Sequence, residues 1–451
     1  MKQPRRPNLL FIMADQWRHD YLGCAGHKTI TTPHIDSLAA RGVRFTHCCT
    51  NSPICAPARI ALACGLQPSR VGALDNACAL PPNVPTYYQR LRDTGYRVAS
   101  CGKLDLNKPE HFNGRNGDRP DNYRWGFTDP FECEGKMHAG SFPTPHGPYG
   151  FWLQERGLYD AFHADYRRRG GDFVRAMEDS VLPTDAFEDC FIADYAARWI
   201  RDVNEEYPWH LFVSFVGPHD PFDPPTEYAN LYRNRAMPAL VEPALEHKPR
   251  RIHARFHDLT PEERLTAQRQ YCASSHAIDI GVGKILAALQ ARGGLDNTYI
   301  VFSSDHGEML GDLGLYTKHV PYEAALRVPL IVAGPSVEKS AAGTTNDALV
   351  ELIDLNATLC DFAGLPAQER IDAKSIAPLV RGETKTHRDE VISIERPYRL
   401  LRTHRWKFIE TYNDTNELYD LEKDPGERHN VVKDFPAEAK AFKKRLEARM
   451  L

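Results

Sequence analysis

An α/β fold is the class this sequence predicts: a large, mainly parallel sheet sandwiched by helices, then a small C-terminal antiparallel sheet domain. Three observations carry it. Continuous apolar runs of strand length alternate with helical segments over most of the chain, the pattern of strands buried on both faces. Chemistry-bearing polar residues stand directly after four of those runs, where open α/β sheets place their ligands. From about Pro378 the character changes to short strands separated by turns. The expected division is 1–377 for the α/β domain and 378–451 for the small α+β subdomain.

Taken in order, NLLFIMA (8–14) is an unbroken apolar run and reads as a buried strand. HIDSLAARG (34–42) reads as a helix stopped by Gly42. SPICAPAR (52–59) holds two prolines, which argue against a regular helix through the segment and place Cys55 in a rigid turn ahead of a helical run. Thr86 to Gly95 is helical and feeds the strand YRVASCG (96–102). Between 107 and 189, Gly, Pro, Arg and aromatic residues dominate without a clear period, which predicts an insertion over one face of the sheet. HLFVSFVG (210–217) is another buried strand. Thr260 to Gly293 is the clearest helix, opening T-P-E-E, a capping box with proline at the first helical position. TYIVFSSD (298–305) and VPLIVAG (328–334) are further buried strands. EVISIER, RLLRTHRWKFIE and ELYDLEKDP predict the antiparallel strands, with a last helix from Pro436.

Composition excludes several functions. The 451 residues are 42% hydrophobic and 26% charged, with a net charge of -4, an ordinary core and no basic face for nucleic acid. The apolar run near the start is too short for a membrane span or a secretory signal. Eleven scattered cysteines without zinc spacing read as reduced thiols. A cytoplasmic protein without membrane or nucleic-acid partners is therefore expected, with a homo-oligomer left open.

The four strand ends carry Asp15-Gln16, Lys103, His219 and Asp305-His306. Carboxylates and an amide oxygen suit a hard divalent cation, so Asp15, Asp305 and His306 could share one. Lys103 and Lys318 could hold an anion, as could Arg59 beside Cys55. His219, in GPHDPFDPP, could protonate a leaving oxygen. Each alone reads equally as a cap, a turn or a surface charge; their convergence is what points to a site.

Together these motifs resemble the formylglycine-dependent sulfatase family of the alkaline-phosphatase-like superfamily. Cys55-Ala56-Pro57-Ala58-Arg59, with Leu62 and Gly65, is similar to its C-x-P-[SA]-R signature. NLLFIMADQ, GPHDPF, SSDHGEMLGDLGLYTKHVPYEAALRVPLIVAGP and ELYDLEKDPGERHNV resemble its other motifs, in the family's order, and only 107–189 matches loosely. The resemblance implies that a separate formylglycine-generating enzyme oxidises Cys55 to formylglycine, whose hydrate attacks the sulfur of a sulfate ester and later expels sulfate. It implies one divalent cation, Ca2+ first with Mn2+ or Mg2+ as alternatives, on Asp15, Gln16, residue 55, Asp305 and His306. Arg59 would orient the formylglycine, Lys103 and Lys318 would bind sulfate oxygens, and His219 with Lys318 would assist the leaving group. Asn76 matches an asparagine of the branch holding choline sulfatases and phosphonate monoester hydrolases, and Asp15-Gln16, in place of the commoner Asp-Asp, points to the same branch. Asp105 replaces the histidine of the G-K-x-H motif, either as a base or as a substrate contact. The expected substrate is a small sulfated saccharide, aryl sulfate or choline sulfate, with phosphonate monoester or phosphodiester hydrolysis as the alternative.

Overall fold

A computed structural model describes residues 6–172, 174–337 and 341–449. Seven strands form the large sheet: β1 (Asn8–Asp15), β2 (Gly42–Cys49), β3 (Arg97–Gly102), β4 (Trp209–Pro218), β5 (Thr298–Ser304), β6 (Arg327–Ala333) and β7 (Thr344–Glu351). Their order is β3-β4-β1-β5-β6-β2-β7. The pairs β3–β4, β4–β1, β1–β5 and β2–β7 are parallel, whereas β6 runs antiparallel to both β5 and β2.

Alternation along β1 shows why its apolar run is unbroken. Leu10, Ile12 and Ala14 enter the core on one face, and Leu9, Phe11 and Met13 enter the core on the other. Each fully buried Leu, Ile or Phe contributes roughly 1.5–3 kcal/mol, so a strand covered on both faces is strongly favoured in this place. The Pro261–Ala291 helix covers one face, its start fixed by the Thr260/Glu263 capping box. The Cys55–Cys64, Tyr87–Asp93 and Asp354–Phe362 helices pack on the other.

Two strands, β2 and β7, carry no clear sequence signal. β2 pairs on both sides but is bulged after Phe45, which breaks its alternation. β7 is an edge strand exposed over its first half. The helix before β2, Pro33–Arg41, does end ahead of Gly42, but Gly42 is in extended backbone rather than the left-handed turn of a C-terminal glycine. A Cβ there would lie 2.4 Å from the Val332 carbonyl oxygen, so close strand approach is what requires the glycine.

The segment 107–189 is more helical than its composition suggests, with short helices at Pro120–Trp125, Lys136–Ser141, Pro148–Glu155 and Tyr159–Arg169. Tyr149, Leu153, Phe162 and Tyr166 build their own small core.

Near the end, β8 (Val391–Glu395), β9 (Tyr398–Arg402), β10 (Trp406–Thr411) and β11 (Glu417–Asp420) form an antiparallel sheet in the order β11-β10-β9-β8. One face (Val391, Leu400, Ile409) packs on Leu315, Val320 and Tyr322 of the large unit. The other (Ile392, Leu401, Phe408) packs on Phe442 and Leu446 of the Pro436–Arg449 helix.

Candidate active site

Because β3, β4, β1 and β5 are neighbours running in one direction, their carboxyl ends share one edge of the sheet. That edge brings Lys103, His219, Asp15 and Asp305 together. β3 ends at Gly102, with φ of 98° and no room for a Cβ against the Ser214 carbonyl. The turn delivers Lys103 into the centre. β1 is followed by Gln16, a non-glycine residue at φ of 72°. Such backbone costs about 1–3 kcal/mol and persists only when over-determined. Three hydrogen bonds supply this: Gln16 N donates to Asp305 Oδ1 at 3.1 Å, Trp17 N donates to Ser304 Oγ at 2.8 Å, and Tyr271 donates to the Gln16 carbonyl at 2.7 Å.

Residue 55 does not sit in a turn ahead of a helix; it is the first residue of the Cys55–Cys64 helix. Pro57 is tolerated because it lies in the first turn, where backbone N–H groups have no intrahelical acceptor. Asn76 Oδ1 accepts one of those free amides, from Ala56 at 3.1 Å. The prolines and the helix are therefore compatible, and the helix amino terminus faces the cluster.

Asp15, Cys55, Asp305 and His306 are fully buried, and their ligand atoms all lie within 4.8 Å of one another. Cys55 Sγ is 3.1 Å from His306 Nε2 and 3.8 Å from Asp15 Oδ1. Arg59 is buried as well. Its Nε donates to Asp305 Oδ2 at 2.7 Å, one terminal nitrogen donates to Ser214 Oγ at 2.7 Å and the Lys103 carbonyl at 2.8 Å, and the other lies 3.4 Å from Asp15 Oδ2. Lys103 Nζ pairs with Asp15 Oδ2 and lies 3.1 Å from Asp105 Oδ2. Lys318 Nζ bonds both Gln16 Oε1 and His219 Nε2. His219 Nδ1 lies 2.6 Å from the Asp220 carbonyl, which places the proton on Nδ1 and leaves Nε2 to accept from Lys318.

Electrostatics follow from this crowding. Burial opposes ionisation of Asp15, yet Lys103 and Arg59 hold its carboxyl well below the usual range. Burial and Asp15 push the Cys55 thiol up, and Lys103, Lys318 and His306 more than reverse that. Burial disfavours charge on Lys103, but Asp105, Asp15 and Cys55 keep it a firm cation. Burial lowers His306, whereas Asp305 and Cys55 carry it up to about 9. The site thus stabilises negative charge at residue 55 and gathers positive charge around it.

The oxygen-rich donor set fits a hard divalent cation. Two buried carboxylates and an imidazole converge on one point, and the protonated His306 carries positive charge where such an ion would supply it. Gln16 sits beside this cluster with its amide committed elsewhere: Oε1 to Lys318, and Nε2 to Asp220 Oδ1 at 3.0 Å and to Glu308 Oε2.

A cleft of 360 Å³ opens above the cluster, lined by Cys55, Asn76, Lys103, His219 and Lys318 on its floor side. Lys108, Lys136, His138, Ser141 and Thr317 form its walls. Asp105 does not line it. It sits behind Lys103, at φ of 55°, and holds Lys103 and Lys108 through one carboxylate oxygen, Lys108 at 2.5 Å. Within the 107–189 segment, His138 is among the residues that reach the cleft. Trp125 and Tyr149 are core residues, Phe151 and Trp152 line a separate hollow, and Arg168 and Arg169 pair with Asp165.

The sequence reading missed Asp220, Glu308, Ser214 and Lys108. Asp220 and Glu308 were visible as the acids of PHDP and DHGE. Burial raises the Glu308 carboxyl, and it accepts from the Leu310 and Thr317 amides at 2.7 and 2.6 Å, which anchors the loop carrying Lys318. Ser214 and Lys108 had no local signal, because only pairing across β3 and β4 or through Asp105 brings them in.

Comparison with known proteins bears on this geometry. The family model described as "Sulfatase" matches residues 7–365, and one described as "N-sulphoglucosamine sulphohydrolase, C-terminal" matches residues 311–451. The chain is 31% identical over 450 residues to a choline-sulfatase of Rhizobium meliloti, covering 95% of this chain and 82% of that one. It is 27% identical over 456 residues to an arylsulfatase of Clostridium perfringens, covering 95% and 90%. A solved phosphonate monoester hydrolase of Agrobacterium radiobacter superposes with a TM-score of 0.82 at 24% identity, covering 99% of this chain and 96% of that one, and shares the fold.

Proposed function

The chain belongs to the sulfatase family and is a sulfuric ester hydrolase, and from that premise we propose that it acts through a formylglycine made from Cys55 beside one divalent cation. The observation that carries this is the buried convergence of Asp15, Cys55, Asp305 and His306 at the amino terminus of the Cys55–Cys64 helix.

In this reading a formylglycine-generating enzyme matures Cys55, and the hydrated aldehyde supplies the hydroxyl nucleophile. Asp15, Asp305, His306 and residue 55 would hold the cation, with Gln16 completing the set once its amide oxygen turns from Lys318; when bound, it would polarise oxygens of residue 55 and of the sulfate. Ca2+ is the ion we favour, given the carboxylate and amide donors. The chain's own residues do the rest. Arg59 locks the carboxylates and the first turn in one arrangement. Lys103 and Lys318 are buried cations on the cleft floor, placed to bind sulfate oxygens and to stabilise charge as it develops. Lys318 donates to His219 Nε2, so a proton lies within reach of the departing alcohol oxygen. Asp105 keeps Lys103 charged and holds both Lys103 and Lys108 in place.

The walls bear on the alcohol. Among the described residues lining the cleft none is Phe, Tyr or Trp. A quaternary amine, as in choline sulfate, would find no aromatic face to rest on. Asn76, Lys108, His138, Ser141 and Thr317 instead offer hydrogen bonds, which suits a hydroxyl-rich alcohol, so a sulfated saccharide is the substrate we propose. The second reading, phosphonate monoester hydrolysis, draws on Asp15-Gln16 and Asn76. Comparing kcat/KM on an aryl sulfate and an aryl phosphonate decides between them. A ratio favouring sulfate, lost in Lys103→Ala, supports the first reading, and a ratio favouring phosphonate overturns it.

A further inference from the structure

A second, larger hollow of 890 Å³ lies on the small sheet, away from the reacting centre. Ile394, Pro397, Tyr398 and Tyr412 give it apolar surface, and Arg396 and Asn413 give it polar groups. Tyr412 is 75% exposed, an unusual degree for a tyrosine ring with no core to serve. The hollow meets the catalytic cleft along two strips of chain. On one, Leu74 lines the hollow and Asn76, two residues on, lines the cleft. On the other, Glu395 lines the hollow and its partner His319, at 2.7 Å, lines the cleft. These residues join the walls of the two spaces.

The charges at this saddle are uneven. Glu395 is held by His319 and by the Tyr398 hydroxyl at 3.0 Å, and Arg399 and Lys443 both pair with Glu410. Arg396 faces Asp75 at 3.9 Å, and its side chain is 69% exposed. An exposed aromatic face, amide groups and a cation in solvent suit the apolar faces, hydroxyls and acidic substituents of a sulfated sugar.

We propose that this hollow is an extension subsite for a sulfated oligosaccharide. The residue being desulfated occupies the cleft, and the neighbouring sugars cross the saddle and stack on Tyr412, with Arg396 meeting one of their acidic groups. This deepens the saccharide reading above and rests on it.

The test uses full-length matured enzyme hydrolysing 4-nitrophenyl sulfate, with size-fractionated di- to octasaccharides from depolymerised carrageenan and from heparin as competitors. The inhibition constant is expected to fall about tenfold between disaccharide and hexasaccharide. Tyr412→Ala and Arg396→Ala should each erase most of that gain and leave 4-nitrophenyl sulfate kcat/KM unchanged. Both residues are exposed, and matching thermal unfolding curves check folding. Inhibition independent of length, or equal loss on short and long competitors, overturns the proposal. So does light scattering that shows a dimer lost in Tyr412→Ala, because the hollow would then be a subunit contact. If the wild type fails on 4-nitrophenyl sulfate and every sulfated saccharide tried, the catalytic reading is what fails. Calorimetric titration of the same hexasaccharides into wild type and Tyr412→Ala then decides the hollow: no binding, or equal binding, removes it.

Discussion

Arg59 Nε donates to Asp305 Oδ2 at 2.7 Å, with both side chains almost wholly buried. This bond joins the helix that carries residue 55 to the end of β5, segments far apart in sequence, and the same guanidinium reaches Asp15 at the end of β1. A planar group with several donors in fixed directions can do this, and an ammonium cannot.

Arg59→Ala removes the shared guanidinium from two buried carboxylates and leaves Asp15 with Lys103. Breaking a buried pair in this way costs about 3–5 kcal/mol. Urea unfolding should show that loss. Arg59→Lys should recover part of the stability, but kcat/KM should stay about 10²-fold or more below wild type. Because Arg59 also lies in the maturation motif, the state of residue 55 is measured by mass in each variant before rates are compared.

Asp105→Ala releases Lys103 and Lys108 together. We expect a burst of released alcohol near one equivalent, then slow turnover, because the first displacement keeps its nucleophile while expulsion of sulfate loses ordered cations. Rapid-quench kinetics read both phases. A normal burst followed by the wild-type steady rate contradicts this role.

Dialysis against a chelator should abolish activity and lower the unfolding temperature without altering secondary structure, and Ca2+ should restore both. An ion at a hundredfold excess over its Kd contributes about 2.7 kcal/mol. Asp15→Asn should make the unfolding temperature insensitive to the ion.

Asp279 gives a pH prediction remote from the site. From the long Pro261–Ala291 helix it accepts the Ile35 amide at 2.8 Å and the His34 amide at 3.3 Å, so it caps the Pro33–Arg41 helix. Burial raises its carboxyl to about 7. The folded protein therefore keeps a proton that the unfolded chain releases near pH ~4. That stabilising contribution is complete below the unfolded value and is lost as pH rises towards 7, with a slope of at most about 1.4 kcal/mol per unit. In Asp279→Asn the slope should flatten across this window. An unchanged slope in denaturant titrations assigns the effect elsewhere.

The sequence showed where strands end more clearly than what surrounds those ends. β1, β4 and β5 are mostly apolar and buried along their whole length because both faces are covered, and the polar residues at their carboxyl ends had no apolar role to play. Asp15, His219, Asp305 and His306 were therefore readable by position, and the structure gathers them with Lys103 and Lys318. β2 and β7 were not readable, since a bulge and an exposed edge erase the period. The helix start at Cys55 was hidden because proline in a first turn looks the same in sequence as proline that prevents a helix. Asp105 was readable as a departure, but its service to two lysines depends on Lys108 folding back three residues later.

The central claim is that residue 55 acts as an aldehyde rather than as a thiol. The direct measurement is the mass of the tryptic peptide Phe45–Arg59, from protein made with and without a formylglycine-generating enzyme, alongside sulfatase activity of the same samples. The account predicts the mass of a thiol-to-aldehyde conversion at position 55, with activity proportional to the converted fraction. Full activity with an unmodified thiol would contradict it.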